Sequence, residues 1–534
     1  MVRMRLLLCS LALVLTVCCL CFGAKQIVSI SGQAGSSQSS RAQRSVTGTV
    51  INSVTGEPIR RALVRLNGPT QSFAFTTADG HFQMDGVQEG AIYLSAEKPG
   101  FSDPSQTGNP VILQTGVNQA VVKLIPQSVI QGRILDSDGE PIEGVQLQLL
   151  AQQITNGRKE WQMRQMTQPS ENGTYRLENL MPGAYLLSTM AHPVFGFQFT
   201  RQAGKLPQEA YPQRFYPNSP DLGSAQPIDL KPGEQAEADF TLPEAPAFSV
   251  SGSVGPVQDG ISISIGDADG QQTFMPAAFN RQTGRFRLPA VPSGSWILSF
   301  HSRNSQGAAY YGEQTINVGS SDIAGLQVLL QPLPSIPVNV ADKGDASPPQ
   351  AQVQLIPDEK SASTGNYMAT PSQAGDSQQA WMIRNVAPGR YGVSVQSNGP
   401  GCIDSVSSGS ADLTHDDLIV TTGSQPPPIN VTFRDDCATL SGEVHGGSGD
   451  AKGFVILLPG AAYIQPNITP IQSGGHFAFG NLSPGEYQVY AFSNIEGLEY
   501  ANPEALRGFT GQRIDLEPNQ KANVTVDLMV RGSN

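Results

Sequence analysis

Charge is scarce in this chain. Of its 534 residues, 15% are Asp, Glu, Lys or Arg, against roughly 25% in ordinary soluble domains. The 33 basic residues are outnumbered by 45 acidic ones, for a net charge of −12. Nucleic acid is held by clustered Lys and Arg, so a nucleic-acid partner is excluded. Histidine is rarer, with six. Neither an H-E-x-x-H zinc motif nor a G-x-S-x-G nucleophile elbow occurs, and no catalytic residue, metal ligand or cofactor is expected. After an apolar run at the N-terminus, no stretch reaches the ~18 residues of a membrane-spanning helix. Helical periodicity is nearly missing too; only Asn502 to Leu506 reads as a short turn of helix.

Cysteine is confined to two places. Four of the six, Cys9, Cys18, Cys19 and Cys21, lie in the N-terminal run. There, Arg3 and Arg5 precede apolar residues from Leu6 to Phe22, followed by Gly23 and Ala24. That is the pattern of a secretory signal, expected over 1–24. Its cysteines leave lipidation open, and its length leaves a retained anchor open. Residues 25–44 are rich in Ser, Gln and Gly and read as a flexible linker. The expected location is therefore outside the cytoplasm: periplasmic, cell-surface or extracellular. The two remaining cysteines, Cys402 and Cys437, are an even pair in an oxidising compartment and are expected to form a disulfide; two buried thiols are the alternative.

Against these absences stand 56 Gly and 40 Pro, and they recur in register. Five segments share one pattern around an aromatic residue: Phe82, Tyr175, Phe286, Trp381 and Phe477. An apolar residue follows at +2, Val or Leu at +5, a Gly at +8 and an aromatic or Ile at +10. Residues i and i+2 share one face of a strand, so each segment reads as a strand, a turn and a second strand. Pro182-Gly183, Pro388-Gly389 and Pro484-Gly485 fit a type II turn, with Gly supplying positive φ. An opening strand V-x-G-x-V or its like precedes each aromatic: Val46–Val50, Ile130–Ile134, Val250–Val254 and Leu440–Val444. The fourth copy has Ile336, Val338 and Val340 without the Gly. A Gly inside a strand points to a close backbone approach or a bulge. An alternating strand closes each copy, from Val121–Leu124 in the first to Val524–Leu528 in the last.

Short alternating strands with frequent turns predict an all-β chain of five tandem antiparallel sandwiches. The expected boundaries are 45–126, 127–244, 245–332, 333–435 and 436–534, strung as a rod. The second copy carries an insertion: its aromatic lies 111 residues before the next, against 93 to 96 elsewhere. The insertion holds Phe195, Phe197, Phe199, Tyr211, Phe215 and Tyr216. Exposed aromatics stack on sugar rings or peptide side chains, so Tyr211, Phe215 and Tyr216 are candidate ligand-binding residues. The alternative is that these aromatics fill the core or cover a sheet edge.

The V-x-G-x-V opening, the turn Gly56-Glu57-Pro58-Ile59, the strand Ala62, Val64, Leu66 and the Gly80-His81-Phe82 segment together resemble the carboxypeptidase regulatory-like domain. The second copy repeats them with Gly139-Glu140-Pro141-Ile142. Copies three to five match mainly in their second half. The resemblance implies a transthyretin-like, seven-stranded sandwich, also grouped with carbohydrate-binding-like folds, over most of residues 45–534. In metallocarboxypeptidases this domain accompanies a zinc peptidase whose His and Glu ligands lie three apart. Here +3 after each His is Met84, Phe195, Asn304, Leu418, Ser448 or Phe479, so the zinc pair is missing. His81 and His476 share a repeat position with Thr174, Arg285 and Ala380, which reads as an outward position without a role. Asp136–Gly139 and Asp267–Gly270 place Gly fourth, where a calcium loop needs it sixth, and read as hairpin turns.

Three roles remain: a non-catalytic binding, adhesion or scaffold protein with a glycan or a cell-surface or secreted protein as partner; a structural spacer; or an accessory subunit of a separately encoded hydrolase.

Overall fold

The computed structural model describes residues 43–531 apart from 70, 89–91, 104–110, 114–116, 143, 156, 194–208, 257–259, 267–271, 274, 276, 306, 345–350, 358–366, 372–380, 398, 447–452 and 461–465. The signal, residues 25–42 of the linker, Phe195, Phe197, Phe199 and Asp267–Gly270 lie outside the described residues. What is described is all-β, with one α-helix, Pro503–Leu506, and two single-turn 3-10 helices among the described residues.

In the first sandwich the strands are β1 (Gln43–Asn52), β2 (Leu63–Asn67), β3 (Ser72–Phe75), β4 (His81–Gln88), β5 (Ile92–Glu97), β6 (Phe101–Ser102), β7 (Val111–Leu113) and β8 (Gln119–Pro126). They form two four-stranded sheets, in the orders β4-β1-β8-β6 and β3-β2-β5-β7. The extra strand over the seven implied by the resemblance is the two-residue β6, which pairs with the end of β8. Inward residues of both sheets, among them Val46, Val50, Phe82, Met84, Ile92 and Leu94, make one core. Four further cores follow, one per copy, which is why the chain is a series of sandwiches.

The sheets are antiparallel apart from pairings made by the closing strand, which in the fifth copy also runs parallel to strand Gly485–Phe492. The first strand of every copy pairs in parallel with a closing strand: β1 with β8, and likewise in the other four. A chain that enters and leaves along parallel strands crosses its domain from one pole to the other. The next copy therefore starts at the far end, which makes a tandem array possible without long linkers.

The Gly of the opening strand marks a close approach. Gly48 lies opposite Phe82, Gly132 opposite Tyr175, Gly252 opposite Phe286 and Gly442 opposite Phe477. At each, an added Cβ would collide with a carbonyl oxygen of the closing strand; at Gly48 and Gly442 it would also meet the aromatic ring. In the second copy the Tyr175 hydroxyl donates to that same carbonyl, of Ala238. The fourth copy has Val338 opposite Trp381, and there the aromatic is only half-buried.

The Pro-Gly expectation needs correction. Gly183 and Gly485 have φ of 146° and 143°, not the roughly +80° of a type II turn. Each begins the next strand. The left-handed residue sits at +4 from the aromatic instead: Gly86, Asn179, Asn385 and Asn481, with φ of 54–74°. Gly and Asn are the residues that adopt this conformation readily. The ladder beside it slips by a residue in the first, second and fifth copies, as a β-bulge requires.

Candidate functional site

The three aromatics expected to form a platform face inward. Tyr211 is 4% exposed and Phe215 0%. Tyr211 belongs to the core of the second sandwich, with Tyr216 packed against it. The Tyr216 ring meets Phe240 edge-on at 5.9 Å. Phe215 fills a separate small cluster with Leu150 and Leu186. The Tyr211 hydroxyl donates to the Glu244 carboxylate at 3.2 Å, and burial beside that carboxylate pushes its phenol upward. Inward rings offer no face to a ligand, so the platform reading fails at these residues.

The insertion has another consequence. Strand Glu209–Tyr211 pairs with strand Ala245–Gly255 of the third sandwich, Glu209 opposite Pro246 and Ala210 opposite Ala245. Strand His192–Pro193 extends the ladder. The second copy thus lends strands to the sheet of the third, and Ala191 joins the third core. Ala210, Ala247 and Ala290 pack together at the crossing, where small side chains let the backbones approach. This is the edge-covering alternative, carried out between domains.

Cys402 and Cys437 are bonded, with Cα atoms 5.7 Å apart. Cys402 begins strand Cys402–Ser408 of the fourth sandwich, and Cys437 immediately precedes Ala438, where the fifth begins. The staple therefore sits at the joint between two sandwiches. Arg434 lies beside it, paired with Asp404 at 3.3 Å and with Asp436. Its hydrogen bond holds the Asp436 carboxyl below its ordinary 3.8. Lys343 adds a second contact to Asp404, at 3.2 Å.

Exposed aromatic surface is found elsewhere. Among the described residues, the three exposed aromatics are Phe73 at 72%, Phe75 at 64% and Tyr93 at 49%. All lie on the outer face of the β3-β2-β5-β7 sheet. Register places Phe73 opposite Arg65 and Phe75 opposite Leu63; Arg65 then faces Ser95, and Leu63 faces Glu97. Tyr93 faces Ile112, itself half-exposed. The Arg65 guanidinium donates to Glu97 at 2.8 Å across this face.

Phe75 also borders two clefts. One, of about 680 Å³, lies over the neighbouring sheet and is lined by Thr47, Thr49, Thr77, His81, Gln83, Gln119 and Val121. The Thr49 hydroxyl and His81 Nδ1 are 3.1 Å apart. The other, of about 440 Å³, lies at the joint with the second sandwich, among Arg61, Leu63, Glu97, Lys98, Gln127 and Asn179. Hydroxyls and amides beside an exposed ring are the donors, acceptors and apolar face that a polar, ring-shaped ligand needs. The signal for this face was present in the sequence: Phe73 and Phe75 are spaced two apart in a strand whose inward position is Ala74.

Among the described residues no group of three His, Cys, Asp or Glu could hold a metal ion, and no helix is long and apolar enough to cross a membrane. His476 lies on the surface, 3.5 Å from the Glu443 carboxylate.

Residues 45–123 match the carboxypeptidase regulatory-like domain. The first sandwich is such a domain, and four further β-sandwiches follow it. No curated protein matches the sequence. Among solved structures, the Bacillus anthracis TIE protein is 11% identical, with 54% of this chain and 50% of that one covered and a TM-score of 0.18. The chain thus spans half the length of that protein. The minor pilin GBS52 of Streptococcus agalactiae is 12% identical, covering 38% of this chain and 97% of its own at a TM-score of 0.20. The shaft pilin SpaA of Lactobacillus rhamnosus GG is 8% identical, with 38% and 98% covered and a TM-score of 0.19. Similarities this low carry no argument about role.

Proposed function

We propose that this chain is an exported, non-catalytic binding and scaffold protein whose first sandwich presents an aromatic face to a glycan. The observation that carries the reading is the collection of every exposed aromatic of the described residues on one sheet of one domain. Isolated apolar residues on a surface are ordinary; a contiguous apolar patch rimmed by polar groups marks an interaction site. Phe73 and Phe75 offer flat faces for the C–H faces of a sugar ring. The threonine hydroxyls and glutamine amides of the adjoining cleft supply partners for its hydroxyls.

The test is a glycan array with the mature protein, followed by titration of the best ligand. Phe73→Ala with Phe75→Ala is expected to weaken binding at least tenfold. No glycan retained on the array, or affinity unchanged in the double variant, overturns the reading. The expectation transferred from the insertion is the reverse: Tyr216→Phe should leave binding as it was.

A further inference from the structure

Two parts of this chain depart from the common repeat, and they meet. The first is the hairpin of the second sandwich, β10 (Leu147–Thr155) and β11 (Arg158–Thr167), following β9 (Ser128–Asp136). Its strands have nine and ten residues, where the equivalents in the first sandwich have five and four. β10 pairs with the rest of its sheet only from Leu147 to Ala151. From Gln152 to Thr155 it pairs with β11 alone. A two-stranded ribbon projecting past its sheet is marginal in water by itself.

The second is the segment between strands Gly485–Phe492 and Gln512–Leu516 of the fifth sandwich. It contains the helix Pro503–Leu506, capped by the Asn502 side chain. It folds over its own cluster of Ile456, Tyr490, Phe492, Leu498 and Leu506, separate from the main core of that domain.

The ribbon tip lies on this segment. The Ala501 N–H donates to the Gly157 carbonyl at 2.9 Å. The Lys159 N–H donates to Glu499 Oε1 at 3.2 Å, and Lys159 Nζ lies 3.7 Å from Glu499 Oε2. Gly157 has φ of +80°, and a Cβ there would lie 2.5 Å from the Tyr500 ring. Gly157 therefore serves both the tight turn and the close fit.

We propose that these two decorations are a clasp that closes the chain on itself from the second sandwich to the fifth, leaving the first outside the closure. Each half belongs to a sandwich with a complete core of its own. The clasp is therefore releasable: breaking it separates the domains without unfolding them.

A water-soluble carbodiimide joins an amine directly to a carboxylate, so it reports the Lys159–Glu499 pair in the full mature chain at high dilution. The expected result is an amide between those two residues, found by mass spectrometry. Prepared from mixed light and heavy isotope-labelled protein, the cross-linked peptides should be all light or all heavy. No such product, or one containing both labels, overturns the proposal. Gly157→Asn keeps a residue that tolerates positive φ but places a side chain against Tyr500. It should lower cross-link yield at least tenfold and raise the radius of gyration in X-ray scattering, with the thermal transitions of the sandwiches retained. Tyr500→Ala should do the same. An unchanged radius in both variants, or loss of the folded second or fifth sandwich in both, overturns it.

Discussion

At the scale of single residues, the repeat is governed by what cannot fit. Gly442 is pinned between the Val524 carbonyl and the Phe477 ring, and overpacking of this kind costs about 1–3 kcal/mol. Gly442→Ala should destabilise the fifth sandwich by that amount in calorimetry, while Gly480→Ala, which meets open space, should be close to neutral. Equal effects at the two positions would refute the account. The fourth copy is a natural comparison: it has Val338 for Gly, and Trp381 is displaced toward solvent. That an in-strand Gly meant a close approach was legible from its spacing. That the approaching atom is a carbonyl of the closing strand was not, because parallel pairing of first and last strands leaves no local trace. The left-handed Asn at +4 was visible in three copies, yet the more familiar Pro-Gly pair beside it claimed the turn.

At the scale of elements, the joints are where the copies differ. The insertion of the second copy hands strands to the third, through a contact of three alanines. The shared ladder should make the second and third sandwiches melt together, and Ala247→Leu should wedge the backbones apart so that they melt separately by calorimetry; a single unchanged transition in the variant would count against the joint. The fourth joint is covalent instead. Cys402 and Cys437 are 35 residues apart, and a loop of this size is worth up to about 4 kcal/mol on the chain-entropy model. Replacing both with Ser should lower the stability of the fourth sandwich toward that limit. Asp436 adds a pH dependence. Its carboxyl is lowered in the folded chain, chiefly by its hydrogen bond to Arg434. The stabilisation is therefore complete above the ordinary carboxylate range and fades as pH falls through it. Cysteine count made the disulfide legible, but its position across a joint was not, since that depends on where one sheet ends in space. For the aromatics of the insertion the core-filling alternative is the one realised, and alternation could not decide it: it says which residues share a face, not whether that face lies against the sandwich's own core.

At the scale of the molecule, two expectations pull apart. Parallel first and last strands send each domain onward from the previous one, which favours a rod. The Lys159–Glu499 contact turns the array back, so extension of the chain is limited from the second sandwich onward. The first sandwich stands outside that closure and carries the aromatic face, which separates binding from closure. A chain beginning at Gln127 should therefore keep the Lys159–Glu499 cross-link and the thermal transitions of its four sandwiches, yet lose glycan binding. Loss of the cross-link on removing the first sandwich would mean that the closure depends on it. Retention of glycan binding would move the site to another domain, and with it the meaning of Phe73, Phe75 and Tyr93. The division follows from the first domain's contribution of no residue to the clasp and from its undivided core, so both readouts come from one truncation and can fail independently.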